Sequence, residues 1–318
     1  KWAASRSPST AHGRPSSPPF RGRTTGCGRT DSHDRWMLGN FDPSHSSAFV
    51  NGVARTSALL KAGATKAALR SLVRAGILLQ PRKGIFTLPS VHPELIRALA
   101  EAGHPACVTA ARLHGLWIIE DDRLHVWHGR AGYSRPRDGC ACVHHWDDGP
   151  PLMPGQLPSI SRTLVQIAHC LGEEAFFAGL ESALRQQLLT PAAMKWMRGK
   201  IPTSLRWLLN FARSDADSGL ESLVRLRLHH LGIDARTQVG IRGTGTVDLL
   251  VGDRLIIETD GRENHESPQK RHGDLMRDVN SARLGFETLR LNYAMVMYHW
   301  ALVEAAILAK VAAGAHLR

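Results

Sequence analysis

The chain has 318 residues, 43% of them apolar, and its 40 Lys and Arg against 28 Asp and Glu give a formal charge of +12. That apolar fraction excludes wholesale disorder, and the length predicts two or three small domains. No apolar run reaches the roughly 18 residues of a membrane span and the first thirty residues carry no secretory h-region, so a cytoplasmic protein without a membrane partner is expected.

Charge is informative once divided along the chain, because partners respond to local fields. Residues 1–48 sum to +4, residues 49–90 to +7 with no acid at all, residues 91–213 to +2 and residues 214–318 to −1. One short segment is suited to phosphate, while the last third keeps its carboxylates. Five cysteines, odd in number and scattered, predict free thiols.

Residues 1–48 are rich in Ser, Pro, Gly and Arg with little apolar periodicity, and are read as a disordered basic leader. A transit peptide is the alternative, although no amphipathic helix is apparent. Met37 precedes the first foldable segment, so a start placed too early would also explain the leader.

In residues 49–90 the spacing predicts a helix over 57–62 stopped by Gly63, and a second helix capped by Thr65 and running to 75. Strands over 77–79 and 85–88 flank the turn Pro81-Arg82-Lys83-Gly84. Lys66, Arg70 and Arg74 recur every four residues on the face opposite Leu69, Leu72 and Val73. A solvated basic face is the plain reading of one such helix. Joined to Arg82 and Lys83 on a basic hairpin, the pattern points to DNA or RNA contact.

Residues 91–213 predict a mixed, mostly helical connector, with helices over 93–102, 106–113, 163–171 and 173–189 and a strand over 123–128. Cys140, Cys142, His144 and His145 invite a zinc reading, but Cys-x-Cys followed at once by two His lacks the usual separated pairs, so these are taken as loop residues without a ligand role.

The last third alternates as helix 218–231, strands 238–241, 246–251 and 255–260, a helix from Ser267-Pro268 to Gly285, strand 288–291 and a final helix over 294–313. Leu275, Met276, Val279, Ala282 and Leu284 are expected as the buried side of the penultimate helix. Asp248 stands inside TVDLLV, and Glu258 and Asp260 inside LIIETD. Carboxylates amid apolar strand residues are disfavoured and need a cation or a chemical purpose, although Asp260-Gly261 by itself reads as a turn. Glu221 in Ser-Gly-Leu-Glu completes a capping box, which competes with any ligand role. A three-residue loop Gly252-Asp253-Arg254 sets Val251 opposite Leu255, gathers Asp248, Glu258 and Asp260 on one face, and puts Val247, Leu249, Val251, Leu255 and Ile257 on the other.

The run GTVDLLVGDRLIIETDGRENH, with LESLVRLRLHHLGI before it and RHGDLMRDVNSARLGFETLRL after it, resembles the uncharacterised bacterial domains related to very-short-patch-repair endonucleases, in the PD-(D/E)XK superfamily. The resemblance covers residues 218–313 and implies a restriction-endonuclease-like αβββαβ core, with Glu221, Asp248 and Glu258 holding Mg²⁺. Asp260 stands where that superfamily usually has its lysine, and His265 and Arg271 are the candidates for the lysine's work. Arg277, Asp274 and Asp278 are either a salt-bridged face or neighbours of the site. Through GVARTSALLKAG, TKAALRSLVRAGIL and RKGIF, residues 49–90 resemble the winged-helix domain of abortive-infection type IV antitoxins.

The expected whole is an α+β or α/β multidomain protein: leader 1–48, winged helix 49–90, connector 91–213 and nuclease-type domain 214–318. Two functions follow, a Mg²⁺-dependent endonuclease acting on DNA or a non-catalytic antitoxin-like regulator that keeps the nuclease fold. A toxin partner and a homodimer both stay open.

Overall fold

The computed structural model describes residues 41–130, 141–260 and 268–317, and the side chains of 44, 268–272 and 274 are outside the description. The expected leader lies largely outside the described residues. Its last part departs from the expectation, since Pro43–His45 forms a 3-10 turn and Phe41 and Ala48 pack against the core of Leu59, Leu69, Leu72 and Phe86.

Five elements follow: β1 (Val53–Arg55), α1 (Thr56–Lys61), α2 (Lys66–Arg74), β2 (Leu79–Arg82) and β3 (Ile85–Thr87). Thr65 caps α2, its Oγ1 accepting the Ala68 N–H at 3.1 Å, which satisfies a donor that the helix start would otherwise leave open. α2 buries Ala68, Leu69 and Leu72 and leaves Lys66, Arg70 and Arg74 exposed. β3 lies between β1 and β2, antiparallel to both. Arg82 pairs with Ile85, so the hairpin turns on Lys83-Gly84 alone, with Gly84 at φ +89°. Positive φ at the second central position is where a type II turn takes glycine, and this turn is shorter than the four-residue one expected from the sequence.

The middle of the chain contains α3 (Pro93–Ala100), β4 (His104–Pro105), α4 (Cys107–Leu113), β5 (His125–Trp127), β6 (Val143–His145), α5 (Ile160–Cys170), α6 (Glu173–Arg185), α7 (Pro191–Arg198) and α8 (Leu208–Phe211). β5 is central, antiparallel to β4 and parallel to β6. Leu164, Ile167, Phe176, Phe177, Met197 and Leu208 are fully buried in the largest core, each such side chain stabilising the fold by about 1.5–3 kcal/mol.

The last third runs α9 (Gly219–His230), β7 (Ala235–Ile241), β8 (Gly245–Val251), β9 (Leu255–Asp260), α10 (Pro268–Arg283), β10 (Glu287–Asn292), α11 (Tyr293–Tyr298) and α12 (Trp300–Ala312). Its sheet has the order β10-β9-β8-β7, with β10 parallel to β9 and the other pairs antiparallel. α9 lays Leu220, Leu223, Val224 and Leu228 on this sheet while Leu226 enters the middle core, so one helix serves two cores. On the α6 side Arg225 pairs with Glu181, which is 1% exposed, and its guanidinium lies 4.1 Å from the Phe211 ring centre. At Gly219 a Cβ would stand 2.1 Å from Trp117, so only glycine allows α9 to start there.

The described residues therefore form a mixed α and β protein of twelve α-helices and three small sheets. No described helix is long and apolar enough to cross a membrane. Three expectations are corrected. The final helix is two, broken at His299, because Arg227 Nη1 donates to the Val296 carbonyl that a continuous helix would give to residue 300. Leu275, Met276, Val279 and Ala282 of α10, and Leu284 just after it, are exposed, because that helix meets its neighbours through polar groups: Ser281 Oγ donates to Thr244 Oγ1, and Asp278 pairs with Arg290. Cys107 and Cys170 are free as expected, whereas Cys142 is disulfide-bonded.

Candidate functional site

Three elements carry the predicted carboxylates: α9 holds Glu221, β8 Asp248, and β9 Glu258 and Asp260. Ser218 caps α9, its Oγ accepting the Glu221 N–H at 3.1 Å. Glu221 reaches back to the N–H of Asp217, one residue before the cap, at 2.9 Å through Oε2, which also accepts from Gln238 Nε2 at 3.1 Å. Its other oxygen, Oε1, is buried with no hydrogen-bond partner. Capping thus engages one carboxylate oxygen and leaves the second unused.

The β8–β9 register follows the three-residue loop: Val251 faces Leu255, Leu250 faces Ile256 and Leu249 faces Ile257. Past Leu249 the regular pattern is interrupted. Gln238 on β7 takes φ +49°, and the pairing of Gln238 with Asp248 drops out of an otherwise continuous β7–β8 ladder. The face prediction fails at Val247, which packs with Leu250 and Ile256 while Leu249, Val251, Leu255 and Ile257 pack beneath α9. An irregularity of this kind re-aims side chains in a strand. Asp248 Oδ2 accepts from the Thr259 N–H at 2.8 Å and from Thr259 Oγ1 at 3.0 Å.

Burial pushes the Glu221 carboxyl up to about 8, with the Asp248 charge adding to the rise. Burial, then the same Asp248 charge, pushes Glu258 up to about 7 against the pull of Arg277 and Arg290. Asp248 is thus the shared electrostatic neighbour of both glutamates. Asp260 is exposed and lies 3.8 Å from Arg290, whose other nitrogen holds Asp278 at 2.6 Å. The cations acting on Glu258 are therefore Arg277 of α10 and Arg290 of β10. His265 lies outside the described residues, and Arg271 is placed on α10 without a described side chain. Arg290 was missed by sequence reasoning, yet parallel pairing sets it directly opposite Glu258.

Of the predicted nucleic-acid contacts, Lys66, Arg70, Arg74 and Lys83 are exposed. Arg82 differs. It is half-buried, its Nε is buried without a partner, and burial together with the Arg55 charge lowers its pKa. Its extended strand position, inside β2 rather than in the turn, accounts for this.

Among the described residues, the group of metal-binding side chains whose ligand atoms lie within 4.8 Å of one another is Cys107, His125, His145 and Cys170. The three carboxylates form no such compact group. His145 was expected to be a loop residue without a ligand role and instead ends β6, while His144 faces His128, Nδ1 to Nε2 at 2.8 Å. Cys140 lies outside the described residues.

No protein-family model matches the chain, and no curated protein matches it. A crystal structure of the RV2827C protein from Mycobacterium tuberculosis is similar over 50% of this chain and 71% of that one, at 22% identity and a TM-score of 0.26.

Proposed function

We propose that the protein binds DNA through residues 49–90 and hydrolyses a phosphodiester bond at a Mg²⁺-dependent site built from Glu221, Asp248 and Glu258. The observation that carries this reading is the buried, unpartnered Oε1 of Glu221 beside an Asp248 charge that raises both glutamates. An all-oxygen set of carboxylates suits a hard cation, and three such groups sharing one region call for a counter-charge. Bound there, Mg²⁺ supplies polarisation of a phosphoryl oxygen and acidification of a water. The chain's own contribution is to hold Glu221 and Glu258 where both feel the Asp248 charge, so that the three carboxylates can share one cation. Arg277 and Arg290 offset phosphate charge and take over the work expected of the missing lysine. In this reading the strand-helix-helix-hairpin of residues 49–90 is a winged helix with α2 as its recognition helix, and the last third is a restriction-endonuclease-like core of the very-short-patch-repair type.

The second reading, a DNA-binding regulator that keeps the nuclease fold without cleaving, is favoured by Asp260, which meets Arg290 where a lysine is usual. Incubating supercoiled plasmid with the purified protein and Mg²⁺ or Mn²⁺ separates the two. Nicked or linear product supports the enzyme. Tight binding without product at any metal concentration supports the regulator.

Binding itself gives a further expected result. The exposed Lys66, Arg70, Arg74 and Lys83 have no acidic partner among the described residues, so each is available to a phosphate. Replacing all four with alanine flattens the dependence of log K on log salt, each lost phosphate contact lowering the slope by about 0.9. Fluorescence anisotropy of a labelled duplex across a salt series measures it, and an unchanged slope removes residues 49–90 from the interface.

A further inference from the structure

We infer that Cys107, His125, His145 and Cys170 bind one structural Zn²⁺ ion that ties α4, β5, β6 and α5 together. Cys107 opens α4, His125 opens β5, His145 closes β6 and Cys170 closes α5, so four elements that are separate in sequence each deliver one ligand. Nδ1 of His125 lies 3.0 Å from Nε2 of His145 and 4.0 Å from Sγ of Cys170, and all four ligand atoms fall within 4.8 Å of one another. With Zn–N of about 2.0–2.1 Å and Zn–S of about 2.3 Å, a tetrahedral site has ligand–ligand edges of roughly 3.3–3.8 Å. The separations of 3.0 and 4.0 Å bracket those edges.

The surroundings fit the same ion. His125 is fully buried and turns its other nitrogen, Nε2, to Asp121 Oδ2 at 3.3 Å, while Arg123 holds that carboxylate from Nε at 2.9 Å and Nη2 at 2.6 Å. A carboxylate behind a ligating imidazole fixes the ring and its tautomer, as is usual at metal-bound histidines. Two thiolates and two imidazoles suit Zn²⁺ and not the oxygen-seeking Mg²⁺ of the carboxylate site. Four protein ligands leave no open position, which makes the site structural and not catalytic. Cys107 is fully buried, whereas Cys170 reaches the surface and gives the ion a way in. Binding exchanges two thiol protons for the metal, the protons passing to solvent, and no electron moves. The inference does not depend on the cleavage reading.

Metal analysis of the full chain, purified with reductant and without chelator, tests it. One zinc per chain is expected, released on titrating the thiols with an organomercurial. The Co²⁺-exchanged protein is expected to show the visible bands of a tetrahedral site with sulfur-to-cobalt charge transfer. Cys107→Ser is too deeply buried to be decisive, so the deciding variants are Cys170→Ser and His145→Gln, each expected to lower the zinc content at least fivefold with circular dichroism still showing a folded chain. Asp121→Asn should weaken zinc affinity about 10- to 100-fold, and Cys142→Ser and His144→Gln should keep the full complement. A folded wild-type chain that takes up no zinc on titration, with Cys107 and Cys170 freely alkylated or joined as a disulfide, overturns the inference. So does full zinc retention in Cys170→Ser and His145→Gln.

Discussion

Asp248→Asn is expected to lower Mg²⁺-dependent cleavage of duplex DNA by about 10²- to 10³-fold, the range typical of removing one group that stabilises developing charge. Asparagine is the sharper substitution, because its amide oxygen can still accept the two hydrogen bonds from Thr259 that Asp248 Oδ2 accepts now. The strand geometry is kept and only the charge is lost. DNA affinity and its salt slope should stay at the wild-type value, since Asp248 lies on β8 and the basic surface on α2 and the β2–β3 turn. Removing the Asp248 charge also takes away one cause of the raised Glu258 carboxyl, so the Glu258 titration should move down from about 7. A variant that cleaves as fast as wild type would take Asp248 out of the chemistry.

The elements of the last third were legible because their punctuation is local. Ser218 before an apolar-periodic run, Gly232 after it, Gly252-Asp253-Arg254 between two apolar strands and Pro268 at a helix start each act within a few residues. The β8–β9 register followed from the length of one loop, which the apolar pattern could fix. The displaced Val247 was not legible, because its cause is Gln238 on the neighbouring strand, a residue with nothing unusual in its own sequence context. The break at His299 was hidden for a similar reason, since it depends on an arginine of α9.

The two sets of metal-type residues contrast in the same way. Asp248 and Glu258 announce themselves, because a carboxylate within a run of Leu, Ile and Val is costly and therefore visible in the sequence. Cys107, His125, His145 and Cys170 are spaced too widely for any ligand motif, and only the pairing of β5 with β6 beside α4 and α5 assembles them. The nearby Cys140, Cys142, His144 and His145 look more like a site, yet of the three that are described only His145 joins one.

Glu221→Gln is expected to stabilise the protein above neutral pH in the absence of divalent cations. The side chain is 1% exposed, and burial raises its carboxyl from the ordinary value of 4.5 to about 8, so the folded state holds a proton that the unfolded chain has released. The sign follows from linkage: the unfolded state binds fewer protons between these two values, so stability is fully present below about 4.5, falls as pH rises, and has lost this contribution above about 8. At about 1.4 kcal/mol for each unit, the ionised glutamate can cost the fold on the order of a few kcal/mol. Glutamine preserves the acceptor for the Asp217 N–H without the charge, so the melting temperatures of variant and wild type should coincide near pH 4 and separate by several degrees near pH 8.5, the variant higher, at about 2–4 °C for each kcal/mol. Mg²⁺ adds the second arm, because an ion that binds the folded state through Glu221 stabilises it by mass action. It should raise the wild-type melting temperature at pH 8.5 and narrow the gap to the variant. Thermal scans at both pH values, with and without Mg²⁺, read all of this at once. A gap independent of pH would show that Glu221 acts through its hydrogen bonds alone, and a gap that Mg²⁺ leaves untouched would remove Glu221 from the cation site.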